Sequence, residues 1–179
     1  MLDGGCPFLS PRLEVISSVD PTGGPAPHGR GGPLAPRDEW TRDSIAALAG
    51  EIDVDLVTAA WETALEAPEL SGPAVWIHGD LDARNMLVQH GRLSGVLDFA
   101  TMAVGDPACD VMVAWKMLPA EHRDTFRTAL AVDDATWARA RGWVLSQALM
   151  ILSYYSMETN PTLVLESRRW MREVLDDLG

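Results

Sequence analysis

The stretch WIHGDLDARNMLVQHGRLSGVLDFA, residues 76–100, combines two short apolar runs with several acidic and amide side chains. The apolar runs at 86–88 and 95–97 flank Gln89-His90-Gly91-Arg92. This connection is short enough for a hairpin turn in which Gly91 takes a positive φ. The segment therefore predicts a β-hairpin with polar side chains gathered at its open end.

The pairing of this hairpin predicts which side chains meet. If the turn closes at His90-Gly91, the numbers of paired residues add up to about 181 to 183, so Asn85 lies opposite Val96–Asp98. Paired strands lie ~4.8 Å apart, so Asn85 and Asp98 can point at one site. An amide oxygen and a carboxylate suit Mg²⁺, and Asp80 in the preceding loop can face the same place. A metal beside a base is the arrangement that phosphoryl transfer uses.

The bulk composition limits the class of protein. The 179 residues are 47% hydrophobic, which is enough for one domain or one large lobe of a larger protein. The net charge of −12 argues against nucleic acid and anionic membranes as partners. It suits a cationic small substrate, although acidity for solubility alone is the more ordinary explanation.

Cysteines and apolar runs indicate the compartment. Only Cys6 and Cys109 are present, which excludes a disulfide framework and a cysteine-based zinc site. The first residues lack the order of a secretory signal, and no apolar run reaches the ~18 residues of a membrane span. We therefore expect a cytoplasmic protein.

Proline and glycine divide the chain into two predicted parts. Residues 1–37 form an irregular Pro/Gly-rich arm that either lies on the folded body or is disordered. Residues 38–179 read as helices around a small sheet, so the predicted fold class is α+β and mostly α-helical. The predicted helices are 40–49, one capped by Asp53 or Asp55, one opened by Asp106-Pro107, 120–130, 134–159, and one after Asn160-Pro161.

The loop at residues 78–85 resembles a known catalytic motif. His78-Gly79-Asp80-Leu81-Asp82-Ala83-Arg84-Asn85 resembles the H-x-D-x-x-x-x-N catalytic loop of the protein-kinase-like superfamily. With Gly79 directly after His78, the loop resembles that of the superfamily's small-molecule branch, the aminoglycoside phosphotransferase and choline kinase family. Asp98-Phe99-Ala100, in the segment 95–100, stands where that superfamily keeps its metal-binding Asp-Phe-Gly, and Gly105–Asp110 resembles the family's G-D-P-x-x-D element. The likeness covers roughly residues 20–179 and implies a kinase-like C-terminal lobe whose small β-hairpin carries the catalytic loop.

The resemblance implies roles for the residues that face the substrates. Asp80 would be the catalytic base or orienting group for a substrate hydroxyl. Asn85 and Asp98 would hold Mg²⁺ and, through it, the phosphates of ATP. Arg84 could contact a phosphate. Each residue also has an alternative role that is purely structural: Asp80 could form a turn, Asn85 could form an Asx turn and Asp98 could cap the end of a strand.

The resemblance also implies residues that support the loop. His78 would pin the loop and Asp110 would brace it from below. Asp106 is read first as a helix cap. Asp110 has an alternative role, because an acid in a first helical turn is favourable on dipole grounds alone.

Two departures from the superfamily pattern change the expected activity. Protein kinases carry a lysine two residues after the catalytic aspartate, and this chain has Asp82 there, so it is not expected to be a protein kinase. The residues before His78 contain no lysine and no G-x-G-x-x-G, and the one lysine of the chain is Lys116. We therefore expect the N-terminal nucleotide-binding lobe to be absent, nucleotide binding by this chain alone to be doubtful, and its activity alone to be weak or nil.

Three functional hypotheses follow. The first is an ATP- and Mg²⁺-dependent phosphotransferase that acts on a hydroxyl of a small molecule, such as a cationic antibiotic, represented here by a truncated chain. The second is a non-catalytic lobe that binds a cationic small molecule or a protein partner. The third, a Mg²⁺-dependent hydrolase, is disfavoured because no second carboxylate cluster is present. A separate chain that carries the small lobe would restore the first hypothesis. Self-association would bury the apolar surface that loss of a lobe exposes. The sequence does not name the substrate.

Overall fold

The structure is a computed structural model that describes residues 19–90 and 92–178. Residues 1–18 of the predicted arm and the turn residue Gly91 lie outside the described residues. At the hairpin turn, the described residue with a positive φ is His90, at 52°.

As the sequence predicts, helices come first, strands follow in the middle and helices return, with seven α-helices and four strands among the described residues. The helices are α1 (Asp38–Ala47), α2 (Val54–Leu65), α3 (Ala108–Val111), α4 (Val113–Lys116), α5 (Arg123–Ala129), α6 (Asp134–Tyr154) and α7 (Pro161–Asp176). The strands are β1 (Val75–Ile77), β2 (Met86–Gln89), β3 (Arg92–Val96) and β4 (Ala103–Gly105). The mostly helical α+β class is confirmed.

The chain divides into two compact units. Among the described residues, unit 1 consists of 19–33 together with Glu69–Trp137, and unit 2 consists of Leu34–Pro68 together with 138–178. All the residues singled out for chemistry lie in unit 1. Within the described ranges, no helix is long and apolar enough to cross a bilayer.

Unit 1 contains two small antiparallel sheets. β2 and β3 form the predicted hairpin, with Met86 opposite Val96 and Leu87 opposite Gly95. A bulge between Leu87 and Val88 shifts the register by one residue toward the turn. The second sheet pairs β1 with β4, from Val75 opposite Gly105 to Ile77 opposite Ala103. The sequence analysis did not predict β4, which is only three residues long.

Unit 1 also has buried aromatic side chains. Trp115 and Phe126 are completely buried, and the ring centroid of Trp115 lies 4.5 Å from that of Trp137. These are the large apolar side chains whose burial stabilises a small unit most, at roughly 1.5–3 kcal/mol each.

Unit 2 is helical. Of the two predicted caps, Asp53 and Asp55, it is Asp53 that caps α2, by accepting a hydrogen bond from the amide of Leu56. The indole Nε1 of Trp61 donates to Asp38 at 2.8 Å and ties α2 to the first turn of α1. Val57 and Trp61 are fully buried on one stripe of α2.

Two predicted helix boundaries were wrong. The first helix spans Asp38–Ala47 instead of 40–49, because a 3-10 turn at Ala35–Arg37 leads directly into it. The long helix ends at Tyr154 instead of residue 159. There the hydroxyl of Thr159 accepts from the amide of Ser156, and the Ser156 carbonyl accepts from the amide of Thr159. Such local side-chain bonds compete with helical ones.

Candidate active site

One buried carboxylate fixes the start of the loop at residues 78–85. Asp110, in α3, accepts hydrogen bonds from two consecutive amides, that of His78 at 2.7 Å and that of Gly79 at 2.9 Å. Burial raises the pKa of Asp110, and the two amide donors oppose that rise. Because each oxygen satisfies one buried amide, Asp110 fixes the start of the loop.

His78 links the loop to the segment that precedes Asp98. The imidazole is completely buried, and its Nδ1 accepts from the amide of Asp80 at 3.3 Å. Its Nε2 therefore carries the proton and donates to the carbonyl of Leu97 at 2.9 Å. The ring also packs against Phe99, with centroids 5.0 Å apart. With both nitrogens engaged in structural bonds, His78 acts as a scaffold in this geometry.

The glycine after His78 has a steric reason. Gly79 has φ of +80°, in the left-handed region, and an added Cβ would lie 2.7 Å from the carbonyl oxygen of Thr101. The Thr101 hydroxyl in turn donates to the carbonyl of His78 at 2.8 Å. The loop therefore passes too close to the 99–101 turn for any side chain at position 79.

Asp82 belongs to a buried ion pair. The ammonium of Lys116 lies 3.0 Å from one of its oxygens, and Nε of Arg84 donates to the other at 2.8 Å. Burial raises the pKa of Asp82, but the hydrogen bond from Arg84 and the charge of Lys116 outweigh it and hold the pKa at about 2. Burial lowers the pKa of Lys116, and the charge of Asp82 opposes this.

The three predicted catalytic and metal-binding residues lie around the open end of the hairpin. Asn85 and Leu97 are bonded across it, with the Leu97 amide 2.8 Å from the Asn85 carbonyl, so Asp98 follows one residue later. The Asn85 side-chain NH₂ donates to the carbonyl of Asp80 at 2.9 Å. The predicted register is confirmed. The carboxylate of Asp80 pairs with Arg30.

Asp98 has an unusual backbone conformation. Its φ and ψ of 59° and 70° lie in the left-handed region, which few non-glycine residues adopt. Asp98 is exposed, and among the described residues its carboxylate accepts one long bond, 3.4 Å, from the amide of Ala100. A left-handed aspartate between a strand and a turn is the kind of local strain that accumulates at functional sites.

The donor set at this end of the hairpin fits Mg²⁺. The Asn85 amide nitrogen is the atom bonded to Asp80, so its amide oxygen is available to a ligand among the described residues, and the exposed Asp98 directly follows Leu97, whose amide is bonded to the Asn85 carbonyl. Among the described residues, no group of three or more His, Cys, Asp or Glu side chains could hold a metal ion. One amide and one carboxylate oxygen suit Mg²⁺, which takes few protein ligands and keeps waters or phosphate oxygens.

The other predicted residues occupy supporting positions. Arg84 was predicted to contact a phosphate. Its Nε donates to the carboxylate of Asp82, and 57% of its side chain is exposed. Asp106, predicted as the helix cap, accepts from the amide of Ala108 at 3.0 Å, but α3 begins at Ala108 and Pro107 is its N-cap residue, so the helix starts one residue later than predicted. The buried Cys109, whose thiol pKa is raised by burial, contacts the Gly79 carbonyl at 3.7 Å.

Sequence reasoning missed two cations of this site. Arg30, in the Pro/Gly-rich arm, pairs with Asp80, and Lys116 pairs with Asp82. A single arginine in a loop is usually interpreted as solvated, and no local sequence pattern links Arg30 to Asp80, 50 residues later. For Lys116, an available signal was its place in an otherwise apolar run, VMVAWKML, where an unpaired lysine would be costly to bury.

The loop and hairpin of unit 1 have the arrangement that a protein-kinase-like fold predicts. Residues 13–143 match the sequence model of the phosphotransferase enzyme family, abbreviated APH. The chain therefore belongs to that family. No curated protein sequence matches it significantly.

Solved structures share this fold. The macrolide 2'-phosphotransferase MphH from Brachybacterium faecium, an apoenzyme, is 24% identical with a TM-score of 0.52, and the match covers 93% of this chain. The aminoglycoside phosphotransferase APH(2'')-IIa, in a complex with streptomycin and ATP, is 16% identical with a TM-score of 0.52 over 90% of this chain. The chain spans 56% and 60% of the lengths of these two proteins. At these identities the likeness shows the fold.

Proposed function

We propose that this chain carries the acceptor- and metal-binding part of an enzyme that transfers the γ-phosphoryl group of ATP to a hydroxyl of a small molecule. A cationic, antibiotic-like compound is the acceptor class that we favour. The observation that carries the proposal is the hairpin end, where Asn85 and the left-handed Asp98 lie next to the loop of Asp80. The structural relatives whose names include streptomycin, aminoglycosides and macrolides support this choice of acceptor.

Each residue has a distinct task in this reaction. Asp80 takes the proton of the acceptor hydroxyl as that oxygen bonds to the γ-phosphorus and the bond to the leaving ADP oxygen breaks. Asn85 and Asp98 would hold Mg²⁺, which when bound supplies positive charge against the phosphate oxygens. Asp110 and His78 keep the Asp80 backbone in place through the hydrogen bonds described above.

A specific observation favours the second candidate, a non-catalytic binding lobe. Lys116 is the one lysine of the chain, and it is buried against Asp82, so it does not serve as the phosphate-clamping lysine of kinase-like enzymes. A clamp for efficient catalysis would therefore have to come from outside this chain. A slow reaction by this chain alone is the expected result.

The test is phosphoryl transfer from radiolabelled ATP with Mg²⁺ to aminoglycosides, macrolides and choline-like alcohols, with Asp80→Asn as the matched variant. We expect labelled product from the natural chain and at least about 100-fold less from Asp80→Asn, because the variant keeps the shape but loses the base. No product from the natural chain, or equal product from both, would contradict the proposal and favour the binding lobe.

A further inference from the structure

Arg30 contacts the catalytic aspartate although it lies 50 residues before it. One guanidinium nitrogen, Nη1, donates to Oδ1 of Asp80 and also to the carbonyl of Gly79, at 3.2 Å. The Arg30 side chain is 29% exposed and that of Asp80 33%, so the pair is partly shielded while remaining open to a ligand. Shielding makes such a pair stronger than an exposed one.

The arm holds Arg30 firmly in this position. Immediately after Arg30, the carbonyl of Gly31 accepts from the amide of Asp106 at 2.7 Å. Gly31 has φ of +85°, and an added Cβ would collide with Cδ1 of the buried Ile77. Before Arg30, the carbonyl of Pro25 accepts from the amide of Val104 at 2.8 Å. The segment is therefore anchored to β4 and its flank on both sides of Arg30.

The cations around the loop pair with two different aspartates. Lys116 and Arg84 both bind Asp82, whereas Asp80 has its ion pair with Arg30. Protein kinases place a lysine two residues after the catalytic aspartate, the position that Asp82 occupies here. The cation next to the catalytic carboxylate thus comes from the arm instead of from the loop.

Arg30 has hydrogen-bond donors that the described residues do not use. Its two bonds both use Nη1, and among the described residues Nε and Nη2 have no hydrogen-bond partner. A guanidinium has five N–H donors in a planar fork that matches phosphate oxygens. Likewise, Oδ2 of Asp80 has no partner within the described part of the chain. Both groups therefore have atoms left to face two substrates.

The geometry points to Arg30 as a further residue of the phosphoryl-transfer site. It holds Asp80 through Oδ1, which leaves Oδ2 for the acceptor hydroxyl, and its remaining donors bind an oxygen of the transferred phosphoryl group. This inference rests on the proposed function. It assigns a binding and positioning role to the Pro/Gly-rich arm, which contains none of the motif residues.

The test compares kcat and KM for Arg30→Ala, Arg30→Lys and Arg30→Gln with the natural chain in the same transfer assay. Arg42→Ala is the matched control, because Arg42 also pairs with acids, Asp38 and Glu62, but lies in unit 2. We expect kcat of Arg30→Ala to fall about 100-fold while KM for the acceptor changes less than about threefold. Arg30→Lys should recover part of kcat, and millimolar guanidinium should partly rescue Arg30→Ala.

The outcomes separate this inference from the proposed function. An active natural chain with an equally active Arg30→Ala would overturn the inference alone, and no transfer by the natural chain would overturn both. Thermal unfolding identifies variants that fail to fold, and Arg30→Gln, which keeps much of the aliphatic stem, then replaces Arg30→Ala. A loss of kcat in folded Arg30→Ala that neither lysine nor guanidinium reverses would indicate a merely structural arginine and would overturn the inference.

Discussion

The loop half of the site, residues 78–82, and the hairpin half, residues 85–102, are built in opposite ways. The loop half is fixed by buried polar groups, since His78, Asp82 and their partners Asp110 and Lys116 are all buried and bonded. The hairpin half is open: Val88 is 68% exposed, and Leu97 and Phe99 are about half exposed. The chain thus uses buried bonds to place a backbone and leaves exposed oxygens for ligands.

This difference has a thermodynamic meaning. A buried polar group contributes little net stability when it is paired, but removing its partner leaves a costly unsatisfied group. An exposed carboxylate such as Asp98 is solvated whether the chain is folded or unfolded, so its removal changes stability little. Substitutions in the loop half should therefore lower stability, and those in the hairpin half should lower ligand binding.

The largest effect is expected for Asp110→Ala. The variant leaves the buried amides of His78 and Gly79 without acceptors, which should lower the free energy of unfolding by about 3–5 kcal/mol in urea titrations. Asp43→Ala, on the exposed side of α1, is the control and should stay within about 0.5 kcal/mol. Similar losses in the two variants would mean that Asp110 is not the brace of the loop.

An intermediate loss of stability is expected when acid protonates Asp82. The pKa of Asp82 is about 2 in the folded chain, against an ordinary 3.8, because Arg84 and Lys116 favour the carboxylate. Because the folded value is the lower one, its contribution of about 2 kcal/mol is complete above pH 3.8 and is lost as the pH falls through about 2.

Asp82→Asn isolates this contribution, because all other groups titrate in both proteins. The difference in the free energy of unfolding between the natural chain and the variant should shrink as the pH falls from 3.8 to about 2. A difference that stays constant or grows over that interval would show that the Asp82 carboxylate is not stabilised by its cations.

The same contrast explains what the sequence could predict. The hairpin register, the Asp53 cap and the helix that starts after Asn160-Pro161 all depend on residues close together in sequence, and all are confirmed. The H-G-D motif placed the loop, and the steric need for Gly79 became clear only from its approach to Thr101.

Long-range ion pairs were beyond such reasoning. Arg30 and Asp80 are 50 residues apart, and Asp82 and Lys116 are 34 apart, and no periodicity connects them. The pairing of β1 with β4 was missed for the same reason, because strands of three residues give little pattern. The left-handed backbone of Asp98 could not be predicted from residue type, because even aspartate, which is enriched in that region, adopts it in a minority of cases.

The smallest effect on stability, and the most direct test of the account, concerns Asp98. Calorimetric titration of Mg²⁺ with ATP into the natural chain and Asp98→Asn should give binding in the first and at least about tenfold weaker binding in the second. Their free energies of unfolding should agree within about 0.5 kcal/mol, because the side chain is exposed. Equal binding by both proteins, or no heat from either, would contradict the claim that this hairpin end holds Mg²⁺ and nucleotide.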